Sequence, residues 1–599
     1  MSWKKALALV TIGLLLVMAG VIWWIARYDF NRFKPVVVEE VRAATGRDMA
    51  IAGDLRLNIG LSPTLVTGPV TLRNAAWGSQ PDMLTVQTLQ LQISLPALLS
   101  KTIVLKRLAL TKPVVLVEEK ADGRRNNWAF ETPPDQQPAA SQTAPVAYRV
   151  ELHEVDIQDG TLLYRNRKTG KTTRFDIAEL ILKRQNGALP LKMAMRASYN
   201  QLGFALDGHI GLLSDLFNPV NGWAFDVVAK AGQTDVSVTG RLHMATDEKP
   251  SRLQAQIKGD RLDIRPWLTH SPEKTALSQN ANHVFPRDPL PFNALQGMDL
   301  QIALDIRELL TPHIALQAFK APIRIQNGQL DAGPARATAG GGDYQAHVQI
   351  DTRAKPPLVK NRLKIDQMNA ELMLKELGLQ DIMEGLVDIQ ADLEGRGHSV
   401  AEVMGSLNGH ATLVSGEGRL GKLFFGLFDE GIAHQLVTLF NPLEKRATTT
   451  PIECLVIRLD STKGLVQLSQ MIWVTPDSIV VGGGHIDLGT EKIDIGIQPA
   501  PRQGKISLGA LTKPFRLGGT LKAPAMGIDP AATAITAGRI AGGLLFGPVG
   551  IAVAFSNIVG TEGENPCMAA VEAAEKGVVP EEKGFLENVG DKLRFWRDD

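Results

Sequence analysis

The chain has almost no excess of either charge: 64 Lys and Arg stand against 63 Asp and Glu, a formal net charge of +1. A protein that grips a polyanion through phosphate contacts carries a basic excess, so no nucleic acid is expected as a partner. Cysteine is nearly absent, with two in 599 residues. That excludes a disulfide-dense scaffold and leaves one bridge at most. HExxH, CxxC and GxSxG constellations are missing, and the 11 histidines are scattered over strand and loop positions such as His153, His209 and His410. No nucleophile, metal cluster or paired acid stands out, so the expectation is no enzyme, no cofactor and no metal site.

One stretch imitates a phosphate loop. Gly416-Glu417-Gly418-Arg419-Leu420-Gly421-Lys422 fits GxGxxG and the start of a P-loop, but Leu423 stands where a P-loop needs Ser or Thr for Mg²⁺. The dinucleotide reading needs a βαβ unit, and no clear second strand follows. The sequence reads as a glycine-rich turn after a strand at Gly409–Val414, and Gly482-Gly483-Gly484 reads the same way.

What is present begins with Ala6–Ala26, 21 residues without a charge. At about 1.5 Å per residue a helix of that length matches a bilayer core of roughly 30 Å. Leu7, Leu14, Leu15, Leu16 and Val21 supply apolar surface, and Trp23 and Trp24 fall at interface depth. Lys4 and Lys5 put the N-terminus in the cytoplasm by the positive-inside rule. The run is longer than a signal-peptide core, and Arg27 follows in place of an A-x-A site, so the segment reads as an uncleaved anchor.

The rest, 44% hydrophobic and 21% charged overall, has the composition of a folded body. Polar, proline-containing stretches at 131–147 and 271–291 read as linkers. The organisation expected is an anchor at 1–27, an N-terminal module at 28–130, a middle β module at 148–270, a C-terminal β module at 292–528 and an Ala/Gly-rich helical tail at 529–599. Period-2 alternation dominates: Leu89, Leu91, Ile93, Leu95; Leu300, Ile302, Leu304, Ile306; Ile493, Ile495, Ile497. Asp159-Gly160, Asn327-Gly328 and Lys463-Gly464 read as turns. Helical periods are short, at Val36–Thr45 and Asn369–Leu379. A weak repeat links Leu253–Leu268 with Arg362–Leu377, each an alternating strand followed by a short amphipathic piece. In the tail, Ile540–Thr561 carries no charge but six Gly or Pro residues. A helical hairpin or cap is preferred there over a second membrane span. Cys454 and Cys567 are either small buried residues or, in an oxidising compartment, a pair.

A series of short motifs has a familiar order. Thr45-Gly46-Arg47-Asp48 leads to Ile51-Ala52-Gly53-Asp54-Leu55, then Leu61-Ser62-Pro63, Asn74-Ala75-Ala76-Trp77-Gly78, Leu105-Lys106-Arg107-Leu108, Lys112-Pro113-Val114-Val115-Leu116 and Asn127-Trp128. It resembles the N-terminal region of the AsmA family of Gram-negative envelope proteins. The Leu407–Gly418 block and Glu564-Asn565-Pro566-Cys567 are similar to that family as well. The resemblance implies an inner-membrane anchor, a periplasmic body and kinship with TamB and chorein-type bridge proteins. It implies a mainly β fold, an elongated curved repeating sheet with an apolar groove, a few short helices and a helical tail. It also implies roles in phospholipid supply to the outer membrane and in outer-membrane protein assembly.

Alternation alone fits a β-sandwich better than a groove. The resemblance reverses that preference after residue 148. An acyl chain offers no hydrogen bonds, so a carrier needs only an apolar face with a polar face behind it. The lining candidates are Leu300, Ile302, Leu304, Ile306, Val387, Ile389, Ile493 and Ile495. The functional expectation is non-enzymatic carriage of phospholipid from the inner membrane toward the outer membrane or a partner there. The alternative is a periplasmic scaffold for outer-membrane protein insertion that carries no lipid.

Overall fold

A computed structural model describes residues 29–94, 102–119, 126–128, 149–269, 283–421, 449–501 and 515–527, with short interruptions, and Cys567 and Val571. The expected anchor at 6–26, the 131–147 stretch and Ile540–Thr561 lie outside the described residues. Among the described residues no helix is long and apolar enough to cross a membrane. The chain divides into two compact units, Met1–Met244 and Ala245–Asp599, and the described elements are mainly β.

The first unit opens on the helix Lys34–Thr45, with Pro35 in its first turn. Gly46 ends it at φ 66°, a left-handed conformation that glycine adopts without a Cβ clash. Short strands follow: β1 (Met49–Ile51), β2 (Arg56–Asn58), β3 (Thr64–Thr67), β4 (Val70–Arg73), β5 (Asp82–Val86) and β6 (Thr88–Ile93). Gly53 has no room for a side chain, because a Cβ there would lie 1.4 Å from the Gly68 carbonyl oxygen.

Then come β7 (Thr102–Thr111), β8 (Val114–Glu119), β9 (Arg149–Leu152) and β10 (Glu154–Asn166). They form two long broken strands lying parallel. Thr102 pairs with Arg149, Leu108 with Val155 and Val115 with Leu162, the same offset throughout. A parallel pair needs a crossover to bring the chain back to the same end, and the proline-rich 131–147 stretch falls within that return. The breaks are aligned too. Lys112 (φ 49°) sits beside Asp159 (φ 54°), and the β11 register shifts between Ile177 and Glu179. Asp159-Gly160 is therefore a bulge inside β10, not the turn expected from its sequence. Left-handed backbone serves a bulge as well as a hairpin, and a row of bulges bends neighbouring strands together. The unit continues as an antiparallel meander: β11 (Thr172–Gln185), β12 (Ala188–Tyr199), β13 (Leu202–Ile210), β14 (Trp223–Ala231) and β15 (Thr234–His243).

The motif residues of the first unit meet around one carboxylate. Glu118 and Asn127 are fully buried. The Asn74 side-chain amide donates to Glu118 Oε1 at 2.7 Å, and the Ser79 N–H donates to the same atom at 3.0 Å. Asn127 donates to Asn74 Oδ1 and to the Leu116 carbonyl, and accepts from the Glu118 N–H. A buried polar cluster with its partners in place fixes one packing arrangement.

The second unit begins with a further parallel pair, β16 (Ser251–Asp263) and β17 (Met298–Leu310), Ser251 facing Met298. An antiparallel meander follows: β18 (Ala315–Gln326), β19 (Gln329–Ala339), β20 (Gly342–Asp351), β21 (Leu358–Asn369), β22 (Met383–Arg396) and β23 (Asn408–Leu420). It continues through β24 (Thr450–Ile452), β25 (Cys454–Thr462), β26 (Leu465–Val474), β27 (Ser478–Asp487), β28 (Lys492–Pro501), β29 (Phe515–Gly519) and β30 (Pro524–Gly527). Asn327-Gly328 and Lys463-Gly464 form two-residue turns with φ positive at both positions. The strand-then-helix repeat is present: the helix Arg265–Thr269 follows β16, and Ala370–Glu376 follows β21 with Asn369 as its cap.

The reading of the glycine clusters as turns is corrected. Gly416, Gly418 and Gly482–Gly484 lie within β23 and β27, not in turns. Gly418 and Gly482 answer close packing within the sheet: a Cβ on Gly418 would meet the Glu384 carbonyl at 2.2 Å, and one on Gly482 would strike Met471. The described part of the 271–291 linker is pinned. Glu491 accepts from the N–H groups of Val284 at 2.7 Å and Phe285 at 2.9 Å, the Pro286 carbonyl accepts from Ala401, and Leu290 donates to the His398 carbonyl.

Candidate functional site

Residues directly paired in a β-ladder project to the same face. In the second unit one row of direct partners runs Ala255, Ile302, Ile323, Ala332, Val348, Asn361, Leu393, Gly409, Ser461, Val466, Ile486, Ile493. At about 4.8 Å per strand this is roughly 50 Å of contour. A second row contains Ile365, Ile389, Leu413 and Ile457, and a third joins Val387 to Ser415 and Leu455. Ile495 faces Gly484 on β27, which lies two residues from Ile486 and so on the same side. The register thus carries all eight lining candidates to one face.

That face is open over much of its width. Leu300, Ile302, Leu304, Ile389, Ile493 and Ile495 are half-buried, and only Ile306 and Val387 are buried. The other side of the same strands is polar and exposed: Gln301, Asp305, Lys320, Arg324, Arg362 and Glu394. Cross-strand ion pairs lace it, including Lys360–Glu394 at 2.9 Å, Arg362–Asp392 at 3.2 Å and Lys320–Asp305 at 3.6 Å. Exposed pairs of this kind add little stability; they keep that side wet. Tyr344 is a polar exception on the apolar face. Its hydroxyl donates to Met368 Sδ at 2.9 Å, and burial, with Glu376 nearby, pushes its pKa up to about 12.

The first unit has a face of the same kind. Val155, Leu182, Leu191, Met193, Ile210 and Val227 form its buried cluster, with Leu206, Trp223, Phe225 and Val238 against it. Asp207, His209, Asp226 and Arg241 on the opposite side are exposed. Among the described residues no group of three or more His, Cys, Asp or Glu is placed to hold a metal ion.

The sequence pattern of the AsmA family matches residues 1–191 and 211–471. The chain belongs to the AsmA family. The AsmA family protein YhjG of Escherichia coli (strain K12) is 21% identical over 703 residues, covering 96% of this chain and 99% of that protein. No solved structure matches the chain.

Sequence reasoning missed two features of this AsmA-family chain. The first is a second apolar patch on the otherwise polar side of the second unit. Cys454, Val456, Ile472, Val474 and Val481 are buried there, with Val414 and Ile479 beside them. Cys567 and Val571, one helical turn apart in the tail, pack on this patch, and Cys567 is disulfide-bonded to Cys454. Its signal lies in the unbroken apolar runs Cys454–Ile457, Met471–Val474 and Ile479–Val481, since strands covered on both faces lose their alternation. The second is a cover on part of the open face. Phe285 and Met404, the latter from the helix Val400–Gly405, pack with Leu407 and Leu488 against Leu393, Leu459, Val466 and Ile486. Glu491 holds this cover down. Burial pushes its carboxyl up, but the Phe285 and Val284 N–H donors, with His283 and Arg287 nearby, outweigh that and hold it below the usual carboxylate range.

Proposed function

We propose that this protein is a non-enzymatic carrier of phospholipid acyl chains, tethered to the inner membrane by Ala6–Ala26 with its body in the periplasm. The observation that carries the reading is the part of the row from Ala255 to Val348, a half-buried apolar face backed by a charged one. In water an extended acyl chain would cost on the order of 10 kcal/mol at roughly 0.8 kcal/mol per CH₂. Moving from bilayer to an aliphatic face exchanges hydrocarbon for hydrocarbon, so little of that cost is met at any step. Family membership supports an envelope role, and the expected direction is toward the outer membrane.

The test is transfer of a fluorescent phospholipid from donor vesicles holding the full-length protein to protein-free acceptors. Transfer should exceed the protein-free rate and fall to it in Ile302→Asp/Leu304→Asp, with expression and thermal unfolding as folding controls. Equal transfer by a folded double variant rejects the reading. A protein that supports outer-membrane protein insertion while transferring no lipid would instead be a scaffold.

A further inference from the structure

One end of the first unit is amphipathic in a different sense from the rest of the sheet. On the apolar face Phe175 and Tyr199, direct partners on β11 and β12, stack with ring centroids 5.0 Å apart. On the reverse face of the same strand ends lies a cavity of about 750 Å³, lined by Arg174, Arg196 and Lys230 and also by Asp159 and Asp176. Small residues, among them Gly203, Ala205 and Gly232, leave the space open. Arg196 faces Ala205, and Ala205 faces Lys230, so the two cations stand two strands apart across one gap, roughly 10 Å between backbones.

These cations are unequally engaged. Asp176 holds Arg174 through Nε at 2.9 Å and also accepts from Thr161 at 3.1 Å. Arg196 meets Glu179 through a single nitrogen at 3.2 Å, and Lys230 comes only within 3.8 Å of Asp235. Both side chains are largely exposed, at 75% and 60%. The chain that joins β10 to β11 adds charge of one sign. From Tyr164 to Arg174 the sequence holds five Lys or Arg and no Asp or Glu, in a protein whose net charge is +1. Aromatic side chains beside a basic fringe are the composition that settles at a bilayer–water interface.

We propose that this end of the first unit is a docking surface for an anionic phospholipid bilayer, with headgroup phosphate taken up between Arg196 and Lys230. The inference rests on the lipid-carrier reading and names where that carrier meets headgroups. Aromatic rings reach the acyl boundary from one face, while cations on the other meet phosphate. A cavity of this volume accommodates a headgroup.

The experiment uses the full-length protein held by its anchor in phosphatidylcholine nanodiscs. Capture of added phosphatidylglycerol vesicles is read by flotation. Each basic residue at an anionic surface contributes roughly fivefold to binding. Arg196→Glu/Lys230→Glu should therefore reduce capture more than about tenfold, and Arg196→Gln/Lys230→Gln by a smaller factor. Arg196→Lys/Lys230→Arg should retain it, and phosphatidylcholine vesicles should be captured weakly. Undiminished capture by folded glutamate and glutamine variants overturns the proposal, as does equal capture of phosphatidylcholine vesicles. Competition by millimolar inorganic phosphate also overturns it, since it marks a small-anion site. Lipid transfer that depends on Ile302 and Leu304 but not on Arg196 and Lys230 would retire the docking surface and leave the carrier reading standing. Normal vesicle capture without transfer would do the reverse.

Discussion

Within the second unit, β16 to β22 and β23 to β27 solve the same problem differently. The first group alternates, so Leu300, Ile302 and Leu304 stay half-buried on one side while Gln301, Ala303 and Asp305 stay exposed on the other. The second group is apolar on both sides at its centre. Val456 and Val474 have no exposure, and the tail carrying Cys567 and Val571 packs over them. The difference teaches that the reverse side of the sheet goes with its pattern: strict alternation keeps the back polar, and loss of alternation brings in the tail as a cover. A polar, exposed back behind the half-buried face is therefore what sets β16–β22 apart from β23–β27.

The largest expected effect sets the two groups against each other. Val474→Asp buries an unpaired carboxylate under the tail and should destabilise the second unit by about 4 kcal/mol or more. Ile302→Asp, on the half-buried face, should cost less than half of that, because water reaches the new charge. Urea unfolding measures both, and equal losses would erase the distinction. Next, Cys454→Ser/Cys567→Ser opens a link between residues 113 apart in sequence. A loop of that length is worth about 2–5 kcal/mol, and the loss should appear as a lower urea midpoint in the oxidised protein only.

Smaller again, Glu491→Gln removes a charged acceptor from two N–H groups, at about 1–3 kcal/mol, read as faster hydrogen exchange at Val284 and Phe285. The same cover should respond to acid. The Glu491 carboxyl is depressed in the folded state, so its contribution is complete above the unfolded carboxylate value. It is lost as pH falls through the lower folded value. Exchange at these two amides should therefore accelerate at acid pH in the wild type more than in Glu491→Gln. The smallest effect belongs to the polar side: Asp305→Asn breaks an exposed pair with Lys320 and should shift stability by less than about 0.5 kcal/mol.

The strands themselves were legible because period 2 is a local property. Leu300 to Ile306 announced their common face, and Asn327-Gly328 and Lys463-Gly464 announced their turns. Asp159-Gly160 misled because the same backbone conformation serves a bulge, and only the parallel neighbour carrying Lys112 decides between them. Glu118 was illegible. Nothing near it marks a buried carboxylate, and its partners Asn74 and Ser79 are distant in sequence. The cover on the open face was hidden for the same reason: Glu491 and Val284 are separated by 207 residues. Pattern reports the faces of strands, while long-range hydrogen bonds decide what lies on those faces.

The most direct measurement places a photo-activatable residue at Ile302 or Leu304, with Gln301 as the control, in the full-length protein in its native membrane, and identifies adducts by mass spectrometry. Phospholipid adducts at Ile302 and Leu304 but not at Gln301 are the predicted result. Adducts absent from all three positions, or equally frequent at Gln301, would contradict the claim that this face carries lipid.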